Sequence, residues 1–401
     1  MSTTRFRSVT PATSVKFLFV FFGVAVASFF PFLALFLSDR GLTPGRIGIV
    51  IAAMALARIA ANPVWGHVAD TTLGRRSVLR IGALGATVAA IALFLVEGYV
   101  PILVAAVVFA GFSTTTGPNI DAIALTHLGE ERMSDYGRIR AWESLSYGVS
   151  CFAIGAFLEV SGTEWTMVVY GVGSLAILAW SATVAPDRPT RLEEHGRLGA
   201  VGAAFRAAPR FWQFLIAVFL VWTGFNAAWN FYALKIDSEG GGPLLVGIGT
   251  ALGGLVEVPM MRWTSRIHRS WGLRKVYVLG CGIYALGFLL WGVIEDPTIV
   301  SLLTVFEGMG FALLFTTSVV VVGRILPPNL YSTGQSMVST VGFGVAPIVG
   351  AGVGGFIFES FGDVTLYVGA SLLALAGGVG AWIALSDPAV AHPQPEVAPV
   401  L

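Results

Sequence analysis

The sequence predicts an all-α membrane protein of about twelve transmembrane helices, arranged as two six-helix halves. Three observations carry this expectation. Charge is too sparse for a water-facing surface, apolar runs of spanning length recur along the whole chain, and the second half repeats features of the first. Only 12% of the 401 residues are charged and 55% are hydrophobic, whereas soluble domains carry about 25% charged residues. A helix rises about 1.5 Å per residue, so about 20 apolar residues cross the hydrocarbon core. Lipid supplies no hydrogen bonds, so a spanning segment is a helix or part of a closed barrel. These runs are too long and too uniformly apolar for barrel strands.

The first run, Val15 to Leu37, has one charge, Lys16, at its edge. Its core is too long for a signal peptide and no small-residue cleavage pattern follows it, so it is expected to be the first span. The full set of expected spans is 15–37, 45–66, 77–96, 101–125, 138–158, 164–185, 211–234, 244–264, 274–294, 298–322, 335–358 and 363–385. The connections are short except for one polar stretch with five arginines. This gives an N-terminal bundle (1–185), a cytoplasmic central loop (186–210), a C-terminal bundle (211–388) and a short proline-rich tail (389–401) expected to be disordered.

Lys and Arg set the orientation. With the N-terminus in the cytoplasm, nineteen of the 24 basic residues fall on the cytoplasmic side, among them Arg5, Arg7, Arg132, Arg188 and Arg191. Only Arg40, Arg46 and Lys235 fall outside, and Arg58 and Arg140 lie within spans. Both termini are therefore expected in the cytoplasm of a multi-pass protein of the cell membrane. The halves also echo each other. Pro44-Gly45-Arg46-Ile47-Gly48-Ile49 opens the second span and Pro243-Leu244-Leu245-Val246-Gly247-Ile248 the eighth. Short basic turns follow both, Gly74-Arg75-Arg76 and Gly272-Leu273-Arg274-Lys275. Two such halves form a transporter architecture, which works by rocking around a site between repeats.

Several classes are disfavoured. The two cysteines, Cys151 and Cys281, fall in spans and suggest packing, not a disulfide framework. The five histidines are placed in loops or tails without ligand spacing, so no metal site is expected. Net charge is +1 with no basic arm, which argues against nucleic acid. No nucleophile–base pair suggests an intramembrane enzyme, and the short loops leave little room for the output domain of a sensor. The protein is expected to act as a monomer, on a small-molecule substrate, in the lipid bilayer.

Ionisable groups inside a bilayer cost about 2.5–3.5 kcal/mol on insertion scales and mark functional sites. Six stand out: Arg58, Asp121, Arg140, Glu143, Glu257 and Glu307. Asp121, late in the fourth span after Pro118, and Arg140, at the start of the fifth, approach from the cytoplasmic half and are placed to pair. Arg140, Glu143 and Tyr147 share one helical face. The pair is either a tie between helices or a substrate anchor, with Arg140 presenting a planar fork of donors. Arg58 and Glu257 occupy matching positions in the repeat, 199 residues apart. Arg58 is expected to be an interhelical tie or to snorkel, and Glu257 to face the cavity.

Glu307 sits mid-span among apolar residues and glycine. Burial disfavours the charged form of a carboxyl, so such a group takes up and releases a proton as its access to water changes. It is expected to couple transport to protons. The alternative is a carboxyl kept protonated and bonded to a neighbouring helix. Asn226 and Asn230, four apart near Trp222 and Trp229, are candidate ligand contacts.

Gly66-His67-Val68-Ala69-Asp70 with Gly74-Arg75-Arg76 resembles the loop between the second and third helices of the major facilitator superfamily. There that loop stabilises the outward-open state at the cytoplasmic face; here one extra residue separates Asp70 from Gly74, and Thr71 replaces a basic residue. Pro31-Phe32 through Gly41-Leu42-Thr43, Ile47-Gly48, Pro118 with Asp121, and Tyr136-Gly137-Arg138-Ile139-Arg140 resemble its proton symporter branch. Lactose permease, nucleoside permease and phenylpropionate-permease-like proteins belong to that branch.

The resemblance implies the major facilitator fold, with Asp121 and Arg140 at the positions that contact sugar in lactose permease. It implies Glu307, in Phe306-Glu307, as the proton site, and Glu257 as the carboxylate of the eighth helix. Thr304 stands where lactose permease has a histidine, and its ninth-helix arginine is replaced around Tyr284, so sugar specificity does not carry over. The function implied is proton-coupled import of a small polar or weakly acidic metabolite by alternating access, with no cofactor beyond the proton. The alternative is proton-coupled efflux of amphipathic compounds.

Overall fold

The computed structural model describes residues 11–128, 135–185 and 197–387. Arg5, Arg7, Arg132, Arg188, Arg191 and the tail 389–401, which entered the orientation and disorder expectations, lie outside them. The described residues form seventeen α-helices and no strand. In chain order they are α1 (Pro11–Phe29), α2 (Leu33–Asp39), α3 (Pro44–Val68), α4 (Arg75–Leu95), α5 (Tyr99–Ser113), α6 (Thr116–Leu128), α7 (Tyr136–Ser161), α8 (Thr166–Trp180) and α9 (Arg197–Ala207). There follow α10 (Phe211–Ser238), α11 (Pro243–Trp271), α12 (Leu273–Val293), α13 (Pro297–Leu302), α14 (Thr304–Ile325), α15 (Tyr331–Ser339), α16 (Ala346–Phe361) and α17 (Asp363–Ala384). Among the described residues eleven stretches are long and apolar enough to cross a membrane, and α1 with α2, bent by 41°, makes a twelfth if the pair is one span.

Several spans are broken where a proline removes an N–H and crowds the carbonyl four residues earlier. Pro31 separates α1 from α2. Pro118 lies four residues after Thr114, where α5 gives way to α6. Pro347 lies four residues after Phe343, inside a π-helical turn over Thr340–Val345 that joins α15 to α16; π-turns of this kind recur at functional sites. The expected central loop contains a helix, α9, because the run Gly199 to Ala207 is rich in alanine, the strongest helix former.

Contacts divide the chain into two units, one of Met1–Leu33 with Ala57–Glu193, the other of Ala34–Leu56 with Glu194–Leu401. Within the first, α1 packs on α7 and α8, and α4 on α5 and α8. Within the second, α10 packs on α16 and α17, and α12 on α14 and α17. The same wiring thus recurs with the elements of the second repeat. Backbone geometry recurs too. Gly74 and Gly272, before α4 and α12, both have φ 79°, and Gly162 and Gly362 open the sixth and twelfth spans with φ 96° and 85°. Even the interhelical hydroxyl bonds are paired. Ser174 Oγ donates to the Ala83 carbonyl at 2.9 Å, and Ser371 Oγ to the Ala285 carbonyl at 2.8 Å.

Helices in lipid associate through small residues that bring backbones close. The second unit shows this along two seams. Between α11 and α14, Gly308 lies against Gly253 so tightly that an added Cβ would sit 2.9 Å from the Gly253 carbonyl carbon. Thr304 Oγ1 donates to the Gly249 carbonyl at 2.8 Å on the same seam. The start of α3 meets α16 in the same way. A Cβ on Gly48 would lie 3.1 Å from Gly355 Cα, and Glu359 Oε2 accepts from the Gly45 N–H at 2.7 Å. A carboxylate there also faces the positive end of the α3 dipole.

Lys235, expected as an outer-face charge, is a buried member of α10, 1% exposed. Its Nζ donates to Glu239 Oε1 at 2.5 Å and to Asp363 Oδ2 at 2.7 Å, tying α10 to the start of α17.

The α11–α14 seam gives a direct test. Gly308→Ala should destabilise the purified protein by about 1–3 kcal/mol, the usual range for overpacking. Gly254→Ala, on the same helix pair with nothing within 4 Å of its added Cβ, should leave the melting temperature in detergent unchanged or raise it slightly.

Candidate functional site

In the first unit, α6 and α7 bring the predicted residues Asp121, Arg140 and Glu143 together. Tyr136 opens α7, and Arg140 and Glu143 follow one and two turns later, so all three project from one face. Arg140 Nε lies 3.7 Å from Asp121 Oδ1, and a second nitrogen of the same guanidinium lies 3.7 Å from Glu143 Oε2. Tyr136 Oη donates to Asp121 Oδ1 at 2.7 Å. The spacing that places Arg140 four residues after Tyr136 also places the phenol at Asp121, a partner not assigned from sequence. The Arg140 and Asp121 side chains are 46% and 38% exposed, so the cluster faces water and its ion pairs are weakly held. A fork gripped loosely by two carboxylates can be offered to a ligand.

Arg58 is not a tie. Among the described residues its guanidinium makes neither a hydrogen bond nor an ion pair, and it lies over the Phe29 ring, 5.7 Å from the centroid. The turns that follow it on α3 are engaged: Asn62 Oδ1 accepts from Thr114 at 2.7 Å, and Trp65 Nε1 donates to the Gly111 carbonyl at 2.9 Å.

The loop residues Gly66, Asp70, Gly74, Arg75 and Arg76 sit at the end of α3, in a π-helical turn over Ala69–Leu73 and in the start of α4. Asp70 pairs with Arg75, while Arg76 Nε donates to the Ser181 carbonyl at 3.0 Å. Gly74 is required by its positive φ. Gly66 has open space where a Cβ would stand.

In the second unit Glu307 projects from the first turn of α14 towards α11. Its Oε2 would be 2.9 Å from a Cβ added to Gly253. Glu257, one turn further along α11, is within electrostatic range of it. Among the described residues Glu307 has no ion pair and no hydrogen bond. Tyr284, fully buried on α12, lies against Gly310 and is within electrostatic range of both carboxyls.

The rings around this pair form a column that the sequence shows only in part. Trp229 stacks on Phe225 at 6.0 Å and on Tyr232 at 5.5 Å, and Phe225 stacks on Tyr284 at 5.6 Å. Trp222 meets Phe311 edge-on at 5.4 Å and Phe343 at 4.6 Å. Phe225 and Tyr232 share α10 with the tryptophans, while Tyr284, Phe311 and Phe343 come from α12, α14 and the π-turn. Asn226 and Asn230 each donate an amide N–H to the carbonyl four residues earlier, at 2.7 Å. Their side-chain oxygens and second N–H groups make no hydrogen bond among the described residues.

The histidines need correction. His67, His127 and His268 lie inside α3, α6 and α11, towards the ends of these helices, not in loops; His195 and His392 lie outside the described residues. His268 Nε2 is 2.8 Å from Thr317 Oγ1 and joins α11 to α14. No three His, Cys, Asp or Glu side chains converge as a metal site among the described residues. Both cysteines are free and buried.

The chain is similar to known proteins in sequence and in fold. Residues 13–368 fit the profile of the MFS_1 like family. The chain belongs to that family, within the major facilitator superfamily. It is 26% identical over 361 residues to the maltose permease of Geobacillus stearothermophilus, covering 88% of this chain and 89% of the permease. It is 24% identical over 284 residues to a probable 3-phenylpropionic acid transporter of Escherichia coli, covering 70% and 73%. The crystal structure of the nucleoside transporter NupG superposes with a TM-score of 0.82 at 15% identity, covering 94% of this chain and 100% of that one; it shares the fold. This member of the major facilitator superfamily is therefore a multi-pass membrane transporter.

Whether the Asp121 cluster is a helix tie or an anchor is open to measurement. Tyr136→Phe and Asp121→Asn should each lower stability by no more than about 1 kcal/mol, since exposed pairs contribute little. In a double-mutant cycle they should couple, because they share one contact. A loss of about 3 kcal/mol from either single change, read by thermal unfolding in detergent, would mark the cluster as a structural tie.

Proposed function

We propose that this transporter imports a small polar or weakly acidic metabolite together with protons, by alternating access. The observation that carries the proposal is Glu307, a mid-span carboxyl that has neither an ion pair nor a hydrogen bond among the described residues. A carboxylate serving structure in a membrane is expected to be paired. One that stands beside a second carboxyl and a buried phenol is suited to gaining and losing a proton. In the first unit the Arg140 cluster offers a hydrated polar contact for a substrate; in the second, Asn226, Asn230 and Glu257 offer acceptors. Relatives named for maltose and for an aromatic acid support polar cargo without choosing between neutral and acidic molecules.

The remaining roles follow from this proposal. The proton is the coupling ion, and no other cofactor is called for. The Lys and Arg bias puts both termini in the cytoplasm, where the Asp70–Arg75 pair would steady the loop between the second and third spans. The protein would work as a monomer. The aromatic column of the second unit favours one competing function, proton-coupled efflux of amphipathic compounds, which stacked rings would also accommodate.

The test is metabolite accumulation by mass spectrometry in cells expressing the wild type or Glu307→Gln, with and without an uncoupler. Import predicts one compound class that accumulates only with the wild type and disappears with the uncoupler. Glu307→Gln should abolish that accumulation while leaving substrate exchange intact; equal loss of both would make Glu307 structural. Loss of lipophilic compounds from the cells, with no accumulation, would establish efflux instead.

A further inference from the structure

Arg58 is the intramembrane charge that the transport scheme leaves unused. It lies in the second span, where a charged side chain is expensive unless something compensates it. Among the described residues no carboxylate pairs with it. Within the first unit α5 and α8 carry no charged residue, α1 carries only Lys16, which lies over the Trp142 ring, and the basic residues of α4 fall in its first two turns. Asp121 and Glu143 are held at Arg140. Among the described residues, the titratable group that acts on Arg58 electrostatically is the Tyr170 phenol.

The setting of Arg58 is nonetheless built. Its guanidinium faces the Phe29 ring at 5.7 Å, within the range of a cation–π contact. Phe29, Phe109 and Tyr170 pack on one another at 4.7 to 6.1 Å, so this backing is rigid. A guanidinium fixed on one face by a ring keeps its fork of N–H donors free at the edge. That geometry matches a carboxylate, which accepts two parallel N–H bonds.

We propose that Arg58 is an anion-binding residue of the first unit, receiving the carboxylate of a monoacidic substrate separately from the polar contact at Arg140. This rests on the transporter assignment and narrows the cargo from polar or weakly acidic to organic acid. It needs neither proton coupling nor a direction of flux. The ring contact compensates the cation only in part, so a ligand that completes it should add what the empty protein lacks.

The experiment uses the purified full-length protein in detergent, with binding read from tryptophan fluorescence and stability from thermal unfolding. The probes are 3-phenylpropionate and its uncharged amide, matched in shape and different in charge. The wild type should bind the acid at least tenfold more tightly than the amide. Arg58→Gln should erase that preference while the melting temperature holds or rises. Arg58→Lys, which keeps the charge but loses the fork, should retain part of the preference and serves as the test variant if Arg58→Gln cannot be purified.

The proposal is overturned if the wild type shows no preference for the acid, or if Arg58→Gln keeps it. It is also overturned if Arg58→Gln lowers the melting temperature by several degrees without changing the preference, which would make Arg58 a structural tie. A failure of proton coupling in the Glu307 experiment would leave these binding outcomes untouched, so the two proposals fall separately.

Discussion

Everything in this molecule depends on the absence of water from the hydrocarbon core. Backbone N–H and C=O groups there must find partners within the chain, which makes every span a helix. The same condition removes the hydrophobic drive for helices to associate, because lipid tails are as apolar as leucine. Association is left to close packing and to a few polar bonds. The glycine seams at Gly253–Gly308 and Gly48–Gly355, and the hydroxyl bonds from Ser174 and Ser371, are therefore the means of assembly in this fold. With 49 glycines available, the chain uses a few of them for left-handed turns and many more for approach.

That the two halves repeat these devices shows how specific they are. The bonds Ser174–Ala83 and Ser371–Ala285 join equivalent helix pairs, and Gly74 and Gly272 turn the chain with the same backbone angles before equivalent helices. Charge does not follow the repeat. Arg58 in one half stands where Glu257 stands in the other, and the buried Lys235 triad belongs to the second unit. Scaffold has been kept in both copies, while the residues that give each unit its chemistry have diverged.

Much of the fold is legible in the sequence, because the signals that specify spans are long and local. Twelve apolar runs, their basic flanks and the polar break near the middle need no knowledge of neighbours. The breaks within spans are harder. Pro31, Pro118 and Pro347 mark them, but a proline in a membrane helix can leave it continuous, as Pro63 does in α3 and Pro259 in α11. Site residues are legible as types and less so as partners. A mid-span charge announces itself, so Asp121, Arg140, Glu143, Glu257, Glu307 and Arg58 stand out. What each touches depends on packing between distant segments. Tyr136 at Asp121, Tyr284 beside the two glutamates, and Asp363 on Lys235 are separated from their partners by 15 to 128 residues. The histidines show the opposite failure: spans drawn a few residues short leave His67, His127 and His268 outside helices that in fact contain them.

The satisfaction of each intramembrane charge sorts these residues by role. Lys235 is closed on both sides by carboxylates at hydrogen-bond distance and is almost fully buried, as expected of a tie between α10 and α17. Arg140 has two carboxylates as well, but at 3.7 Å and in contact with water, which suits a group that exchanges partners. Glu307 and Arg58 have no ion pair at all among the described residues. Breaking a buried ion pair is strongly destabilising because it leaves a charge uncompensated, so a chain that carries such a charge unpaired in its resting form must gain from it elsewhere. A ligand or a proton is the compensation available to a transporter. The incompleteness of these two sites, not their mere presence in a span, is what supports the cargo and coupling roles proposed for them.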